Sequence, residues 1–242
     1  MSVLLSVIIP AYNEARTIEF LLQKLDGVVW PSGCKVQIIV VDDGSSDATA
    51  KCVTHYRETH PDCHLKLLSH ERNLGKGMAI RTALPYVEGR YVVIQDGDEE
   101  YDPRDLAMML AKMMEDNLKV LYGSRYLGGG SRERSLYPVF YYGVRMLSAF
   151  ANLLYGQHIT DEATCYKMFR ADVLCPLPLK CRGFEFCPEV TALVSRRGIK
   201  IDEVPISYVP RSISAGKKIR VVDGLYAFWV LLKYRFIKQR HS

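Results

Sequence analysis

The first half of the chain alternates short apolar runs with segments in which apolar residues recur every three or four positions. The runs predict five buried strands, at residues 3–9, 36–41, 65–68, 91–94 and 120–122. The recurring spacing predicts helices between them, at residues 14–25, from about residue 48, at 77–86 and at 106–114. Helices alternating with continuously apolar strands predict an α/β fold, with a mainly parallel sheet that is covered by helices on both faces.

The second half has a different pattern, with longer aromatic helices. Residues 136–155 and 221–236 predict two such helices, and residues 183–206 predict a helix followed by a strand. The chain shows no internal repeat. We expect a single domain over residues 1–240, made of a first part at 1–123, a second part at 124–220 and an amphipathic C-terminal helix at 221–240.

The composition of the 242-residue chain is that of a folded globular protein, with 48% hydrophobic and 24% charged residues. Its seven cysteines show no CxxC pairing, which disfavours a disulfide framework or a zinc ribbon and favours a reducing cytoplasm. Met1 is not followed by the basic and apolar regions of a signal peptide, and no apolar run reaches the roughly 18–20 residues that span a bilayer. We therefore expect a cytoplasmic protein.

Charge is unevenly distributed along the chain. There are 32 Lys and Arg residues against 27 Asp and Glu residues, which gives a net charge of +5. From Arg211 onward, eight basic residues stand against one acid, Asp223. This basic end predicts either a solvated tail or a surface that meets phosphate or anionic lipid, and we expect no nucleic-acid partner.

Two common nucleotide-binding motifs are absent from the sequence. There is no GxGxxG, so the chain lacks the glycine turn of a dinucleotide site, and there is no GxxxxGK[ST] loop. Gly75 and Lys76 resemble the end of the second motif, but His70 occupies the position of its first glycine. Neither an ordinary NAD enzyme nor a P-loop NTPase is indicated.

Polar loops follow three of the predicted strands at their carboxyl ends, at residues 12–14, 42–44 and 96–98. In an open parallel sheet these ends meet at one crevice, where ligands bind. Around the third loop, Asp96, Asp98 and Glu100 alternate to one side of an extended backbone. Such a carboxylate cluster suits Mg²⁺ or Mn²⁺ that also binds substrate phosphates, although the same acids would suit a solvated turn before a helix.

The combination of motifs is more specific than any one of them. Seven segments occur in order, namely 10–14 (PAYNE), 42–47 (DDGSSD), 73–77 (NLGKG), 96–98 (DGD), 123–126 (GSRY), 160–169 (TDEATCYKMF) and 203–208 (EVPISY). Over roughly residues 3–235 they resemble the family 2 glycosyltransferases with the GT-A fold, and in particular the dolichyl-phosphate mannose and glucose synthases. Gly97 and Cys165 depart from the pattern, because relatives often have alanine and glycine there, and no catalytic role is inferred for the thiol.

The resemblance implies a role for each matched residue. Contacts with the nucleotide base and ribose, or a position near them, are implied for Pro10, Ala11, Tyr12, Glu14, Asp42, Asp43 and Lys76. Catalytic roles at the sugar diphosphate and its metal are implied for Asp96 and Asp98, with Glu100 as a third metal ligand and Asp161 near the reacting centre. Binding of the acceptor phosphate is implied for Arg125, Arg145, Arg211 and Lys217.

Several of these features have a plainer interpretation. Arg125 could pair with a surface acid, and Arg145 could be solvated on its helix. The helices at 136–155 and 221–240 could cover the sheet, or they could lie in the headgroup region of a membrane. The sequence leaves these alternatives open.

The implied activity is inverting transfer of a hexose, with mannose favoured over glucose, from a GDP- or UDP-sugar to a polyprenyl or dolichyl phosphate, with Mg²⁺ or Mn²⁺ as cofactor. The implied location is peripheral on the cytoplasmic membrane face, reached directly or through a separate membrane subunit. Alternatives are a family 2 enzyme with a soluble or glycan hydroxyl acceptor, a nucleotidyltransferase and a non-catalytic relative. The second-half segments disfavour the first, and the lack of an N-terminal glycine-rich phosphate loop disfavours the second.

Overall fold

A computed structural model describes residues 3–31, 33–127, 138–210 and 221–237. These residues form a seven-stranded sheet of β1 (Val3–Ala11), β2 (Lys35–Asp42), β3 (Leu65–Ser69), β4 (Tyr91–Ile94), β5 (Val120–Ser124), β6 (Lys167–Arg170) and β7 (Asp202–Pro205). The strands lie in the order β3-β2-β1-β4-β6-β5-β7. β6 is antiparallel to both neighbours and the other pairs are parallel, which confirms the predicted mainly parallel sheet.

Helices surround this sheet. They are α1 (Ile18–Asp26), α2 (Thr49–Thr59), α3 (Lys76–Ala83), α4 (Arg104–Glu115), α5 (Pro138–Tyr155), α6 (Ala171–Leu174), α7 (Phe186–Arg196) and α8 (Val221–Phe236). A 3₁₀ turn at Leu84–Tyr86 follows α3. Among the described helices, none combines the length and the apolar character that spanning a bilayer requires.

The centre of the sheet is a continuous apolar layer. All four residues of β4 are buried, and the interior of β1 is buried with them. One apolar stripe of α1 and one of α4 are buried in the same core, through Ile18, Leu21, Leu22, Leu25, Leu106, Met109, Leu110 and Met113. Burying each such side chain contributes about 1.5–3 kcal/mol. The register pairs Ala11 with Asp42 and Ile8 with Ile94, so β1, β2 and β4 end at the same edge.

Element boundaries differ from the predicted ones where local chemistry decides them. The helix predicted at 14–25 begins at Ile18, because residues 14–17 form a turn that closes on the Glu14 carbonyl. The helix predicted at 77–86 leaves the α-helical form after Ala83, just before Pro85, which cannot donate a backbone hydrogen bond. The sequence pattern does not predict β6, whose four residues include the fully buried Lys167.

The second half builds a layer of three helices, α5, α7 and α8. The rings of Phe150 and Phe228 join α5 to α8, with centroids 5.4 Å apart. The Tyr155 hydroxyl also donates to the Leu231 carbonyl at 2.6 Å. The predicted C-terminal helix is therefore present and is held against α5 along one face.

Candidate functional site

The polar loops at residues 12–14, 42–44 and 96–98 lie together at the carboxyl ends of β1, β2 and β4. The amide of Asp43 donates to the Ala11 carbonyl at 2.8 Å, just beyond the β1–β2 ladder. A Cβ atom on Gly97 would lie 3.4 Å from Cγ of Glu14 and 3.5 Å from the Pro10 carbonyl oxygen. These are ordinary contact distances, so the alanine of many relatives would fit here and the acid spacing does not depend on this glycine.

Glu14 connects the first motif to residues 96–100, which we call the acidic loop. Its side chain is buried, and its Oε2 accepts a hydrogen bond from the Thr17 hydroxyl at 2.9 Å. The same hydroxyl lies 3.0 Å from the Gly97 carbonyl oxygen. Tyr12, two residues earlier, is half-buried at this edge. The structure therefore places Pro10, Ala11, Tyr12 and Glu14 beside the acidic loop, and their contact with a nucleotide stays a prediction.

Asp43 anchors the loop that carries Lys76. Its two oxygens accept hydrogen bonds from the amides of Leu74 and Gly75, each at 2.8 Å, and His70 Nδ1 lies 2.7 Å from Oδ1. The sequence gives little sign of the His70 contact, which joins residues 27 positions apart. Asp42 has a more local role, since its Oδ1 accepts from the Ser45 amide at 3.3 Å. The nucleotide contacts expected of Asp42 and Asp43 stay predictions.

Lys76 forms an ion pair with Asp96 at the start of α3. Both side chains are largely covered, with 16% and 24% exposed, and Lys76 Nζ also lies 3.5 Å from the Cys165 sulfur. Burial opposes the positive charge, but the Asp96 carboxylate outweighs it and raises the pKa of Lys76. The lysine is therefore a fixed cation beside the acidic loop.

Gly75 sets the position of this lysine. Its φ of +97° lies in the region that favours glycine, and a Cβ there would be 2.3 Å from the Arg182 carbonyl oxygen. The amides of Gly77 and Met78 donate to the carbonyls of Gly183 and Arg182 at 3.1 and 3.0 Å. The first half of the chain is thus attached to the second at the base of Lys76.

The acidic loop does not present three converging carboxylates. Within the described residues, no group of three or more His, Cys, Asp and Glu side chains is arranged to hold a metal ion. Asp96 is turned to Lys76, Glu100 accepts the Tyr208 hydroxyl at 3.2 Å, and Asp98 Oδ1 accepts the Glu100 amide at 3.1 Å. Oxygen ligands from one or two carboxylates still suit Mg²⁺ or Mn²⁺ whose remaining ligands come from substrate phosphates. The donor set therefore fits such a metal.

Arg125 and Asp161 form a buried, two-pronged ion pair. Nε and one terminal nitrogen of Arg125 donate to the two Asp161 oxygens, each at 2.7 Å, and the Arg125 amide donates at 3.0 Å. The Asp161 side chain is completely buried, and that of Arg125 is 8% exposed. Burial disfavours the charge, but Asp161 raises the pKa of Arg125 above its ordinary value. The partner of Arg125 is therefore a buried acid and not the surface acid that the sequence suggested as an alternative.

Three other residues are predicted to bind the acceptor phosphate. Two of them lie outside the described ranges, and the third lies close to the Arg125–Asp161 pair. Arg211 and Lys217 belong to residues 211–220, which the structure does not describe. Arg145 is exposed on α5, and its guanidinium donates to the Thr160 carbonyl at 3.1 Å. Arg125 and Arg145 therefore both contact the segment at residues 160–161.

Sequence reasoning missed Glu162, the neighbour of Asp161. Glu162 is fully buried, and burial raises the pKa of its carboxyl group to about 7, against the opposing effect of the Lys167 charge. Lys167 Nζ donates to the Glu162 carbonyl oxygen at 2.6 Å and lies 3.8 Å from the centroid of the Tyr122 ring. In the sequence, the only indication of this residue is that Asp161 and Glu162 are adjacent acids in the 160–169 segment.

The helices α5 and α8 expose apolar side chains along one stripe each. On α8, the buried face consists of Ala227, Val230, Leu231 and Tyr234, and the opposite face exposes Val222, Leu225, Tyr226, Trp229, Leu232 and Phe236. On α5, the exposed residues are Val139, Tyr142, Met146 and Leu153. Phe150 and Phe228, whose rings are in contact, each lie within one turn of exposed residues on their own helix. We call the combined surface the α5–α8 apolar face.

This face approaches the candidate acceptor site. The ring of Tyr126, next to Arg125, contacts the ring of Tyr141 with centroids 5.1 Å apart. Tyr141 in turn contacts Tyr142 at 5.2 Å, and Tyr142 is exposed on the α5–α8 apolar face. Aromatic rings therefore connect the buried arginine to the exposed helix surface.

Comparison with known proteins gives consistent similarities. The family model described as Glycosyl transferase family 2 matches residues 6–175. A dolichyl-phosphate beta-glucosyltransferase of Dictyostelium discoideum is 28% identical over an alignment of 221 positions, gaps included, that covers 86% of this chain and 67% of that protein. A UDP-N-acetylglucosamine–dolichyl-phosphate N-acetylglucosaminyltransferase of Methanococcus voltae is 27% identical over an alignment of 250 positions, gaps included, that covers 97% of each chain.

Solved structures share the fold. Glucosyl-3-phosphoglycerate synthase from Mycobacterium tuberculosis, in complex with Mn²⁺, UDP and phosphoglyceric acid, has a TM-score of 0.69 at 18% identity and covers 98% of this chain and 80% of that one. A mannosyltransferase from Pyrobaculum calidifontis, in complex with GDP-mannose and Mn²⁺, has a TM-score of 0.65 at 24% identity, over 95% and 64% of the two chains. These likenesses agree with the predicted GT-A architecture.

Proposed function

Because the chain belongs to glycosyl transferase family 2, we propose that it transfers a hexose from a nucleoside diphosphate sugar to a polyprenyl phosphate such as dolichyl phosphate. The observation that carries the proposal is the arrangement along one edge of the sheet. The Lys76–Asp96 pair lies beyond β4, and Arg125 follows β5, which runs in the same direction because β6 is antiparallel to both. The residues proposed for the donor and those proposed for the acceptor thus follow strands that end at the same edge of the sheet.

The donor would bind at the carboxyl ends of β1, β2 and β4. Asp98 and Glu100 would hold Mg²⁺ or Mn²⁺, while Asp96 stays paired with Lys76. The metal would stabilise the negative charge that develops on the leaving nucleoside diphosphate. Lys76 adds a protein cation beside the same position, and its ion pair with Asp96 holds it there before the donor arrives. Structural neighbours with this fold are complexes with Mn²⁺ and UDP or GDP-mannose, which agrees with a metal-bound nucleotide donor but gives no position for it in this chain.

The acceptor needs binding more than proton removal. A phosphate monoester has a second pKa of about 6, so it is largely ionised at neutral pH and can attack without a strong general base. Arg125, Arg145, Arg211 and Lys217 are the proposed ligands of this phosphate. Asp161 would act through Arg125, because both of its oxygens accept from that guanidinium group. Reversing the configuration at the anomeric carbon then follows from direct attack.

We do not retain the preference for mannose. The preference for mannose over glucose finds no support among the dolichyl-phosphate relatives reported above, which are named for glucosyl and N-acetylglucosaminyl transfer. A mannosyltransferase with GDP-mannose is a structural neighbour, but at 24% identity it informs the fold alone. UDP-glucose and UDP-N-acetylglucosamine are therefore the first donors to test, followed by GDP-mannose.

A lipid acceptor requires access to a membrane. The α5–α8 apolar face exposes aromatic and aliphatic side chains next to Lys233 and Arg235, in the last turn of α8. Large exposed apolar surfaces on a soluble fold usually mark interaction sites, and aromatic side chains with neighbouring basic ones suit a headgroup layer. We propose that this face rests on the cytoplasmic surface of a membrane, with a separate membrane subunit as the alternative partner.

The test is a donor panel with and without the lipid acceptor. Each radiolabelled nucleotide sugar is incubated with the protein and Mn²⁺, with farnesyl phosphate present or absent, and the product is extracted into organic solvent. The proposal expects one donor to give an extractable product that depends on farnesyl phosphate and is lost in Asp98→Asn. Transfer only to soluble sugars would favour the hydroxyl-acceptor alternative, and no turnover of any donor would favour a non-catalytic relative.

A further inference from the structure

Tyr208 lies between the acidic loop and Arg125. It follows β7, and its hydroxyl donates to Oε2 of Glu100 at 3.2 Å. The centroid of its ring lies 5.0 Å from the guanidinium carbon of Arg125. One side chain therefore contacts a proposed ligand of the metal and a proposed ligand of the acceptor phosphate.

The backbone around Tyr208 is attached to the same acidic loop. The Val209 amide donates to the Glu100 carbonyl at 2.9 Å, and Tyr208 pairs with Tyr101 in an isolated antiparallel bridge. The rings of Tyr101 and Tyr208 also pack, with centroids 5.2 Å apart. Because both backbone and side chain are attached, Tyr208 keeps its position relative to Glu100.

A second attachment lies one residue earlier. The Ser207 amide donates to Oδ2 of Asp105 at 2.7 Å, so the loop after β7 also contacts the start of α4. The structure describes this segment as far as Pro210. The last described residues before the basic segment 211–220 are therefore fastened to the acidic loop.

These contacts have a chemical consequence for both halves of the reaction. A carboxylate that binds a metal is oriented by the groups that hydrogen-bond to it, and removing such a partner typically lowers metal affinity about 10–100-fold. An aromatic face beside a guanidinium group attracts the cation and limits its rotation. Tyr208 supplies the first effect to Glu100 through its hydroxyl and the second to Arg125 through its ring.

We propose that Tyr208 is a positioning residue that orients Glu100 for the metal through its hydroxyl group and holds Arg125 for the acceptor phosphate through its ring. The proposal rests on the function proposed above. Because the two effects come from different parts of one side chain, they can be separated. Tyr208→Phe removes the hydroxyl and keeps the ring, whereas Tyr208→Leu removes both.

Binding measurements on the full chain test this without requiring turnover. Mn²⁺ binding is measured by electron paramagnetic resonance in the presence of UDP and, separately, of GDP, and farnesyl phosphate binding is measured by calorimetry. Tyr122→Phe is the matched control, because it also deletes a single hydrogen-bonded tyrosine hydroxyl, one that lies 2.9 Å from the Thr191 hydroxyl between β5 and α7. Thermal unfolding of each variant reports whether the fold is retained.

We expect Tyr208→Phe to weaken Mn²⁺ binding about tenfold and to leave farnesyl phosphate binding within about twofold of the wild type. Tyr208→Leu should weaken Mn²⁺ binding similarly and farnesyl phosphate binding roughly fivefold. Tyr122→Phe should change neither affinity. The proposal is overturned if Tyr208→Phe binds Mn²⁺ like the wild type, if Tyr122→Phe has the same effect, or if the wild type binds no Mn²⁺ with either nucleotide. Failure of the proposed function alone would appear as missing lipid-linked product while these affinity differences persist.

Discussion

Arg125 and Asp161, which are 36 residues apart in the sequence, are held together by two hydrogen bonds of 2.7 Å, with the Asp161 side chain completely buried. Glu203 also holds Asp161 in place, because its Oε1 accepts a hydrogen bond from the Asp161 amide at 3.1 Å. A carboxylate whose two oxygens both accept from one guanidinium group fixes the direction in which that group points. The pair therefore links the end of β5 to the 160–169 segment with a defined geometry.

Removing the charge of Asp161 should destabilise the fold. Asp161→Asn leaves the buried guanidinium group without its counter-charge, so we expect the free energy of unfolding to fall by roughly 3 kcal/mol. Chemical denaturation measures this. Asp172→Asn is the control, because the Arg170–Asp172 pair lies at the surface and should be worth less than about 1 kcal/mol. Equal losses in the two variants would contradict the structural role of the buried pair.

Lys76 should act on the donor and not on the acceptor. Its ammonium group pairs with Asp96, so Lys76→Met should raise the KM for the nucleotide sugar about tenfold while the KM for farnesyl phosphate stays the same. Steady-state kinetics with each substrate varied in turn check this split. Lys112→Met, which removes an exposed lysine from the surface of α4, should leave both constants unchanged. A matching rise in both KM values for Lys76→Met would instead indicate general damage.

The sheet was predictable because its central strands are continuous apolar runs. β1, β2 and β4 are buried along most of their length and read as such in the sequence. β6 was not predictable, since a four-residue strand containing a buried lysine has no apolar pattern of its own. The candidate site likewise has a part that the sequence predicts and a part that it does not. The loops after the strands could be placed, but the contacts of Asp43 with His70 and of Arg125 with Asp161 depend on tertiary packing.

Glu162 should make stability depend on pH in a defined range. Burial raises its pKa from an ordinary value of 4.5 to about 7, so between these values the folded chain keeps a proton that the unfolded chain has lost. The stability that the folded chain gains by keeping this proton is fully present below pH 4.5, falls as the pH rises to 7 and then levels off. The total loss is on the order of 3 kcal/mol.

Glu162→Gln provides the comparison, because glutamine cannot ionise. The difference in unfolding free energy between the wild type and this variant should move against the wild type as the pH rises from 4.5 to 7. Denaturant titrations at several pH values measure it. A difference that is constant over this range would show that the carboxyl group does not hold its proton in the folded state.

The α5–α8 apolar face should bind lipid. Replacing both Trp229 and Phe236, which are 50% and 75% exposed, with glutamine should lower binding to vesicles containing anionic lipid at least tenfold, because apolar burial in the headgroup layer is lost. Sedimentation with vesicles measures the bound fraction. Phe20→Gln removes an exposed aromatic ring from α1 and should not change binding. If the double variant binds like the wild type, another surface or a separate subunit contacts the membrane.

The placement of the metal at the acidic loop is tested most directly by crystals of this chain grown with Mn²⁺ and either UDP or GDP. Anomalous scattering would locate the ion without reference to activity. The account predicts a manganese peak within coordination distance of Asp98, bridged to the nucleotide diphosphate, with Lys76 beside the phosphates. A nucleotide bound elsewhere, or a diphosphate seated at this edge with no metal near Asp98 and Glu100, would contradict it.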